Sequence, residues 1–243
     1  MTSVPAATAA QMTRVDEIMM DELGVDVLQL MEAAGLAVAE AARRQLGGDI
    51  AGARILLLAG SGGNGGDALV AARHLLCWGA SPRVVLSKPI DTLGSTAEHQ
   101  ARAAHAVGVP LQTFADTDPG DFAGYDLVVD GLLGFSGHGD PSGAIGEMIR
   151  IVNDLPAPVL AIDLPSGLDP DTGQPGDPTI RASATVALVL PKAGLLSESG
   201  RELSGTVDVA AIGVPRSVLA RIGIDTPPDL FARRSWLSLA PSA

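Results

Sequence analysis

The chain has 243 residues, 47% of them hydrophobic but only 3% aromatic, and a formal net charge of −12. That length and apolar content suffice for one α/β domain over residues 1–243 with a buried core, and the acidic balance argues against a nucleic-acid partner, which needs a basic face. No apolar run reaches the roughly 18 residues of a membrane span, and MTSVPAATAAQMTR lacks the basic and apolar segments of a secretory signal; no membrane partner and a cytoplasmic location are expected.

Residues 8–21 and 26–46 carry apolar positions at helical spacing and predict two leading helices, the second through Leu28, Leu30, Met31, Ala34 and Leu36. ARILLLAG (53–60) then breaks the rhythm as a short, uniformly apolar strand, the pattern of a sheet covered on both faces. A helix over 65–79, a strand PRVVLS (82–87) and a helix around 94–107 follow. The single cysteine, Cys77 between Leu76 and Trp78, reads as a small buried hydrophobe and forms no intrachain disulfide.

Further on come YDLVVDGLLG (125–134), a helix at 143–154, APVLAIDLPSG (157–167), ATVALVLP (184–191) and GTVDVA (205–210). Strands alternating with helices predict a three-layer, Rossmann-like α/β fold: a mostly parallel central sheet with helices on both faces. The α/β core spans about 53–215, and the tail 225–243 has no interpretable pattern.

In such a sheet, ligands bind beyond the carboxyl ends of the strands. Four strand ends carry unusual residues: GSGGNGGD with Asn64 and Asp67, Lys88 after VVLS, VVDGLLGFSGHGD with Asp130 and Asp140, and AIDLPSGLDPDTG with Asp163 and Ser166. Taken singly, Asp67 has a plainer reading as a helix N-cap, and Asp163 and Ser166 as organisers of a turn around Pro165; their convergence on one sheet edge favours a site. Asp130, closing a buried strand, needs a partner to offset its desolvation.

Gly60, Gly62 and Gly65 fit the dinucleotide fingerprint G-x-G-x-x-G, a weak signal alone. A redox NAD site also wants an acid closing the second strand, and here Ser87 and Lys88 stand there, which disfavours an NAD-dependent oxidoreductase. GFSGHG is no nucleophile elbow, DPDTG lacks the glutamate of a calcium loop at Ile180, and no Walker lysine follows the glycines. His74, His99, His105 and His138 show no metal-ligand spacing.

Taken together, LMEAAG (30–35), GSGGNGGDALVAARHL, VVDGLLGFSGHGD, AIDLPSGLDPDTG and LPKAGLL resemble the NAD(P)H-hydrate epimerase family, the YjeF N-terminal domain, in order and spacing up to about residue 215. The resemblance implies an isomerase that interconverts the R and S epimers of hydrated NADH and NADPH for nucleotide repair. The dinucleotide hydrate would then be a substrate, not a redox cofactor. It implies substrate contacts from Gly63, Asn64, Gly65, Gly66 and Asp67, from Gly134, Phe135, Ser136, Gly137, His138, Gly139 and Asp140, and from Asp163.

It also implies one potassium ion per subunit at Asn64, Asp130 and Ser166, an oxygen donor set that suits a hard cation. Asp163 is the expected proton-handling carboxylate, and Lys88 is expected as proton donor or, with Arg83, as a phosphate partner. A separate NAD(P)H-hydrate dehydratase is the implied functional partner, and a homodimer the implied assembly. Two positions depart from the family pattern: Gly63 where asparagine is common and Ala68 where glycine is common. The competing expectation is a catalytically inactive dimerising or ligand-binding scaffold on the same fold.

Overall fold

The computed structural model describes residues 4–239. The first leading helix, α1 (Ala9–Glu17), widens into a π-helical turn over Ile18–Glu22, and α2 (Val27–Gln45) follows. Both begin where their sequence permits a capping box. Thr8 Oγ1 accepts from Gln11 N (3.2 Å) while Gln11 Oε1 accepts from Thr8 N (2.9 Å). Asp26 and Gln29 repeat the exchange at α2.

The core alternates β1 (Arg54–Ala59), α3 (Gly63–Cys77), β2 (Ser81–Leu86), α4 (Ser95–Ala106), β3 (Leu111–Thr113), β4 (Leu127–Gly131), α5 (Gly143–Asn153), β5 (Val159–Ile162) and β6 (Ala184–Leu188). Then come α6 (Glu198–Ser204), β7 (Thr206–Ala210), α7 (Arg216–Arg221) and β8 (Trp236–Ser238). The strands form one sheet in the order β3-β2-β1-β4-β5-β6-β7-β8, parallel throughout except for β8, which pairs antiparallel with β7. The expected parallel α/β sheet is present, and its order reverses between β1 and β4, the point at which such folds open a crevice.

Burial on both faces explains the uninterrupted apolar strands. Ile55, Leu57 and Ala59 pack beneath α2, α3 and α4 with Val38, Ala42, Leu75 and Ala101. Leu56 and Leu58 pack on the other face with Met148, Ile149 and Val152 of α5. Alanines dominate the first layer, which lets α2 and α3 lie close to the sheet and to each other.

Several elements fall outside the sequence expectation. β3 and β8 have three residues each, α6 and α7 seven and six, too short to show a period. β8 gives part of the 225–243 tail a place at the sheet edge; 240–243 lie outside the described residues. Cys77 is exposed, not buried. The buried stripe of α3 runs through Ala68, Ala71, Ala72 and Leu75, and a residue two beyond Leu75 projects away from it.

Candidate active site

The chain opens a cleft of about 580 Å³ over the carboxyl ends of β1, β4, β5 and β6. Its floor is the glycine-rich turn. A Cβ on Gly60 would lie 1.9 Å from Leu132 O, and one on Gly65 1.9 Å from Gly60 O, so these two glycines let the turn pack against β4's exit and fold into α3. Gly62 has nothing within 4 Å of its Cβ position and lines the cleft with Ser61, Gly63 and Asn64. Gly65 and Gly66 are buried behind the turn and do not line it.

α3 starts at Gly63, two residues earlier than the pattern suggests, with no side-chain cap. Asp67 therefore stands in the second turn and is not a cap. It is buried, lines the cleft, and receives no hydrogen bond from the described residues. Burial, then the nearby carboxylates of Asp163 and Asp16, push its carboxyl well above the usual range, against a smaller pull from Lys192.

Asp163 leaves β5 with a left-handed backbone, φ +69°, and Val189 leaves β6 likewise, φ +67°. That conformation is uncommon for any non-glycine residue and costly for a β-branched one. It turns both chains so that Asp163 and Val189 line the cleft. Asp163 Oδ1 accepts hydrogen bonds from Leu188 N (3.1 Å) and Lys192 Nζ, while no described group donates to Oδ2. Lys192 is 1% exposed, and its ammonium also donates to Leu188 O (3.0 Å) and Leu190 O (3.2 Å), with the Phe135 ring 5.8 Å away.

Asp163 and Lys192 thus form a buried ion pair at the cleft wall in which the lysine's three donors are all committed. Asp16, from α1, lines the same cleft, and burial pushes its carboxyl up to about 6, with Lys192 lowering and Asp163 raising it. Met12, Met20, Leu30, Met31 and Phe135 supply an apolar wall.

Asp130 is fully buried at the end of β4. Its Oδ1 accepts from Ser166 Oγ (2.7 Å) and Leu132 N (3.2 Å), and its Oδ2 from Ser166 N (2.8 Å). Even so, burial pushes it up to about 6, and no basic side chain pairs with it among the described residues. Asn64 Nδ2 donates to Leu133 O (2.9 Å) and Ile162 O (3.2 Å). Ser166 Oγ donates to Asp130 and accepts from Leu133 N (2.9 Å), and Asn64 bonds the carbonyl of that same Leu133, so the three residues meet at the ends of β4 and β5. A buried carboxylate lacking a counter-charge, set among hydroxyl and carbonyl oxygens, fits an alkali cation.

The loop after β4 divides between two clefts. Gly134, Phe135, Ser136 and Gly137 line the large one; Gly139 and Asp140, together with Gly134 and Gly137 again, line an adjoining cleft of about 220 Å³ with Asp169, Thr172 and Gln174. His138 is exposed, with Nδ1 3.9 Å from Asp169 Oδ2, and lines neither. The Asp169 loop is closed by its own donors: Asp169 Oδ1 accepts from Thr172 N (2.8 Å) and Thr172 Oγ1 (2.8 Å). Those donors organise the DPDTG turn.

Lys88 is not brought to the cleft. It is exposed beyond β2, on the far side of β1 from β4, while Arg83 lies within β2 and pairs with Asp121 (3.2 Å). The lysine in the site is Lys192, and the further carboxylate is Asp16; neither stood out in the sequence. Lys192 carried a readable signal, since a lysine directly after a uniformly apolar strand faces the same desolvation problem as Asp130. Asp16 carried none beyond its place between Val15 and Ile18 in an amphipathic helix.

The model of the YjeF-related protein N-terminus matches residues 27–194. The chain belongs to the YjeF N-terminal family. Within it, the chain is 31% identical to an NAD(P)H-hydrate epimerase of Rhodopirellula baltica over 91% of this chain and 89% of that one. It is 33% identical to an NAD(P)H-hydrate epimerase of Dehalogenimonas lykanthroporepellens, covering 87% of that protein. With the bifunctional NAD(P)H-hydrate repair enzyme Nnr of Moorella thermoacetica, identity is 38% over 88% of this chain but 41% of that longer relative. A yeast crystal structure superposes with a TM-score of 0.82 at 24% identity and covers 97% of this chain and 100% of that one, which shows a shared fold. Among the described residues, no helix is long and apolar enough to cross a membrane.

Proposed function

We propose that this chain is an NAD(P)H-hydrate epimerase, interconverting the R and S epimers of hydrated NADH and NADPH. One observation carries the proposal: the buried Asp163–Lys192 pair opens onto the cleft floored by the glycine-rich turn, in a family whose relatives of similar length bear that name. The carbon to be inverted is a carbinolamine, bonded to a hydroxyl and to the ring nitrogen. Inversion requires it to become planar, through an iminium or an opened aldehyde, before oxygen or nitrogen returns on the other face.

A carboxylate with one free oxygen in a partly dehydrated cleft suits the proton on that hydroxyl and the positive charge on the planar ring. Asp163 takes this role through Oδ2, held in place by Lys192 and Leu188 N. The lysine's donors are committed to that carboxylate and to two carbonyls, so it acts by positioning. Asn64, Asp130 and Ser166 would hold a potassium ion, which supplies a fixed positive charge against Asp130. Gly63, Asn64 and Gly134–Gly137 would contact the dinucleotide.

A separate dehydratase that consumes one epimer is the functional partner in this proposal, and the cytoplasm its setting. A homodimer is part of it too: Leu36 of α2 is exposed beside Ala33 and Ala37 in a groove against Trp236, and light scattering of the purified chain would give the mass. The decisive experiment follows purified R epimer of NADH hydrate in potassium buffer by chromatographic separation of the epimers. Approach to the epimer equilibrium far above the spontaneous rate is expected. A folded protein that leaves the spontaneous rate unchanged would overturn the proposal in favour of a binding scaffold.

A further inference from the structure

Three carboxyls, Asp16, Asp67 and Asp163, line the large cleft with one ammonium, Lys192. That ammonium is spent on Asp163 and two carbonyls. From α2 the wall is Val27, Leu30, Met31 and Ala34, with no charge. Asp67 and Asp16 therefore share a partly dehydrated space with no cation of their own, and neither receives a hydrogen bond from the described residues. Two carboxyls so placed do not both ionise readily, and the more deeply buried one keeps the proton. That one is Asp67: it is buried, whereas Asp16 is half-buried on a surface helix.

We propose that the Asp67 carboxyl is the acid that hands a proton to the departing hydroxyl, with Asp16 of α1 as its partner carboxylate. The proposal rests on the epimerase reading and takes the iminium route. The carbon–oxygen bond breaks with its electron pair going to oxygen, which takes the Asp67 proton and leaves as water. The ring nitrogen lone pair forms the carbon–nitrogen double bond. Water then adds to the opposite face and loses a proton to a cleft carboxylate, Asp163 through Oδ2, and exchange through Asp16 and solvent returns a proton to Asp67. Atoms and charge balance, and the net change is inversion at one carbon. Asp16 acts through Asp67, as a positioning residue whose negative charge keeps the proton in place.

The test compares wild type, Asp67→Asn and Asp16→Asn by kcat, KM and the pH profile of epimerisation, with thermal melting as the control for folding. Asp67→Asn keeps the shape of the protonated acid but donates no comparable proton, so kcat is expected to fall at least ~100-fold with KM little changed. The wild-type profile of kcat/KM is expected to fall on the alkaline side as Asp67 loses its proton. Removing the Asp16 charge makes that loss easier, so in Asp16→Asn the alkaline limb is expected at lower pH. A kcat for Asp67→Asn within tenfold of wild type, or an alkaline limb unmoved in Asp16→Asn, overturns the proposal. If Asp67→Asn does not fold, a wild-type profile without an alkaline fall overturns it instead. Failure of the epimerase reading is distinct, because then wild type itself is inactive.

Discussion

Two strand exits on the same edge of the sheet each release a lysine, and the two lysines meet opposite surroundings. After β2 the chain runs outward, and Lys88 ends in solvent. After β6 it turns at Val189, φ +67°, and Lys192 is carried back into the cleft onto Asp163. β2 lies beyond β1, toward the β3 edge, whereas β4, β5 and β6 lie on the other side of the point where strand order reverses. The site is thus built from one side of the switch point, with the glycine-rich turn of β1 as its boundary. A strand end is a candidate by rule; which strand ends converge depends on sheet order.

The largest test of this comparison is Asp163→Asn. If the β4–β6 side carries the chemistry, turnover should fall by roughly 100- to 10,000-fold while the melting curve stays cooperative. Lys192→Met leaves Asp163 buried without its counter-charge; a stability loss of about 3–5 kcal/mol by urea titration is expected, together with loss of epimerisation. Lys88→Ala, its counterpart, should change stability by no more than about 0.5 kcal/mol and leave the rate near wild type. A strong loss of activity there would break the one-sided description.

Asp130 supplies the next effect. Its carboxyl is raised to about 6 in the folded protein, above an unfolded value near 4. Without a cation, the contribution of Asp130 to stability is therefore greatest below about pH 4 and falls as pH rises through 6, by up to about 3 kcal/mol. Replacing potassium with choline should lower the melting temperature at pH 7.5 by an amount on the order of 5 °C, with little effect near pH 4. Equal melting curves in the two salts at pH 7.5 would remove the cation from Asp130.

The smallest contrast lies within the turn. Gly60→Ala must displace Leu132 O and should cost about 1–3 kcal/mol in stability. Gly62→Ala meets only open cleft, so melting should be unchanged and any cost should appear in KM.

The parallel sheet was legible because five of its strands, β1, β2, β4, β5 and β6, are largely buried apolar runs, and the leading helices because apolar residues such as Leu28, Leu30, Met31, Ala34 and Leu36 recur at helical spacing. β3 and β8 escaped because three residues carry no period, and LQT is only half-buried. In the site, Asn64, Asp130, Asp163 and Ser166 were readable as polar residues stranded at the ends of buried strands. Lys192 belongs with them by the same logic, but its partner is fixed by a left-handed turn that nothing in VLPKAG announces. Asp16 depends on how α1 docks across the strand ends, a tertiary matter. Cys77 was misplaced because its neighbours' apolarity says less than its angle on the helix.

β8 has a consequence at the other end of the sheet. By pairing antiparallel with β7, and with Trp236 beneath the Arg44 guanidinium at 4.1 Å, it occupies a row of backbone amides that would otherwise stand ready to receive a strand from any neighbour. A chain shortened to residue 225 would keep every cleft residue and lose that shield, so its expected defect is colloidal: it should still turn over substrate while clumping as concentration rises.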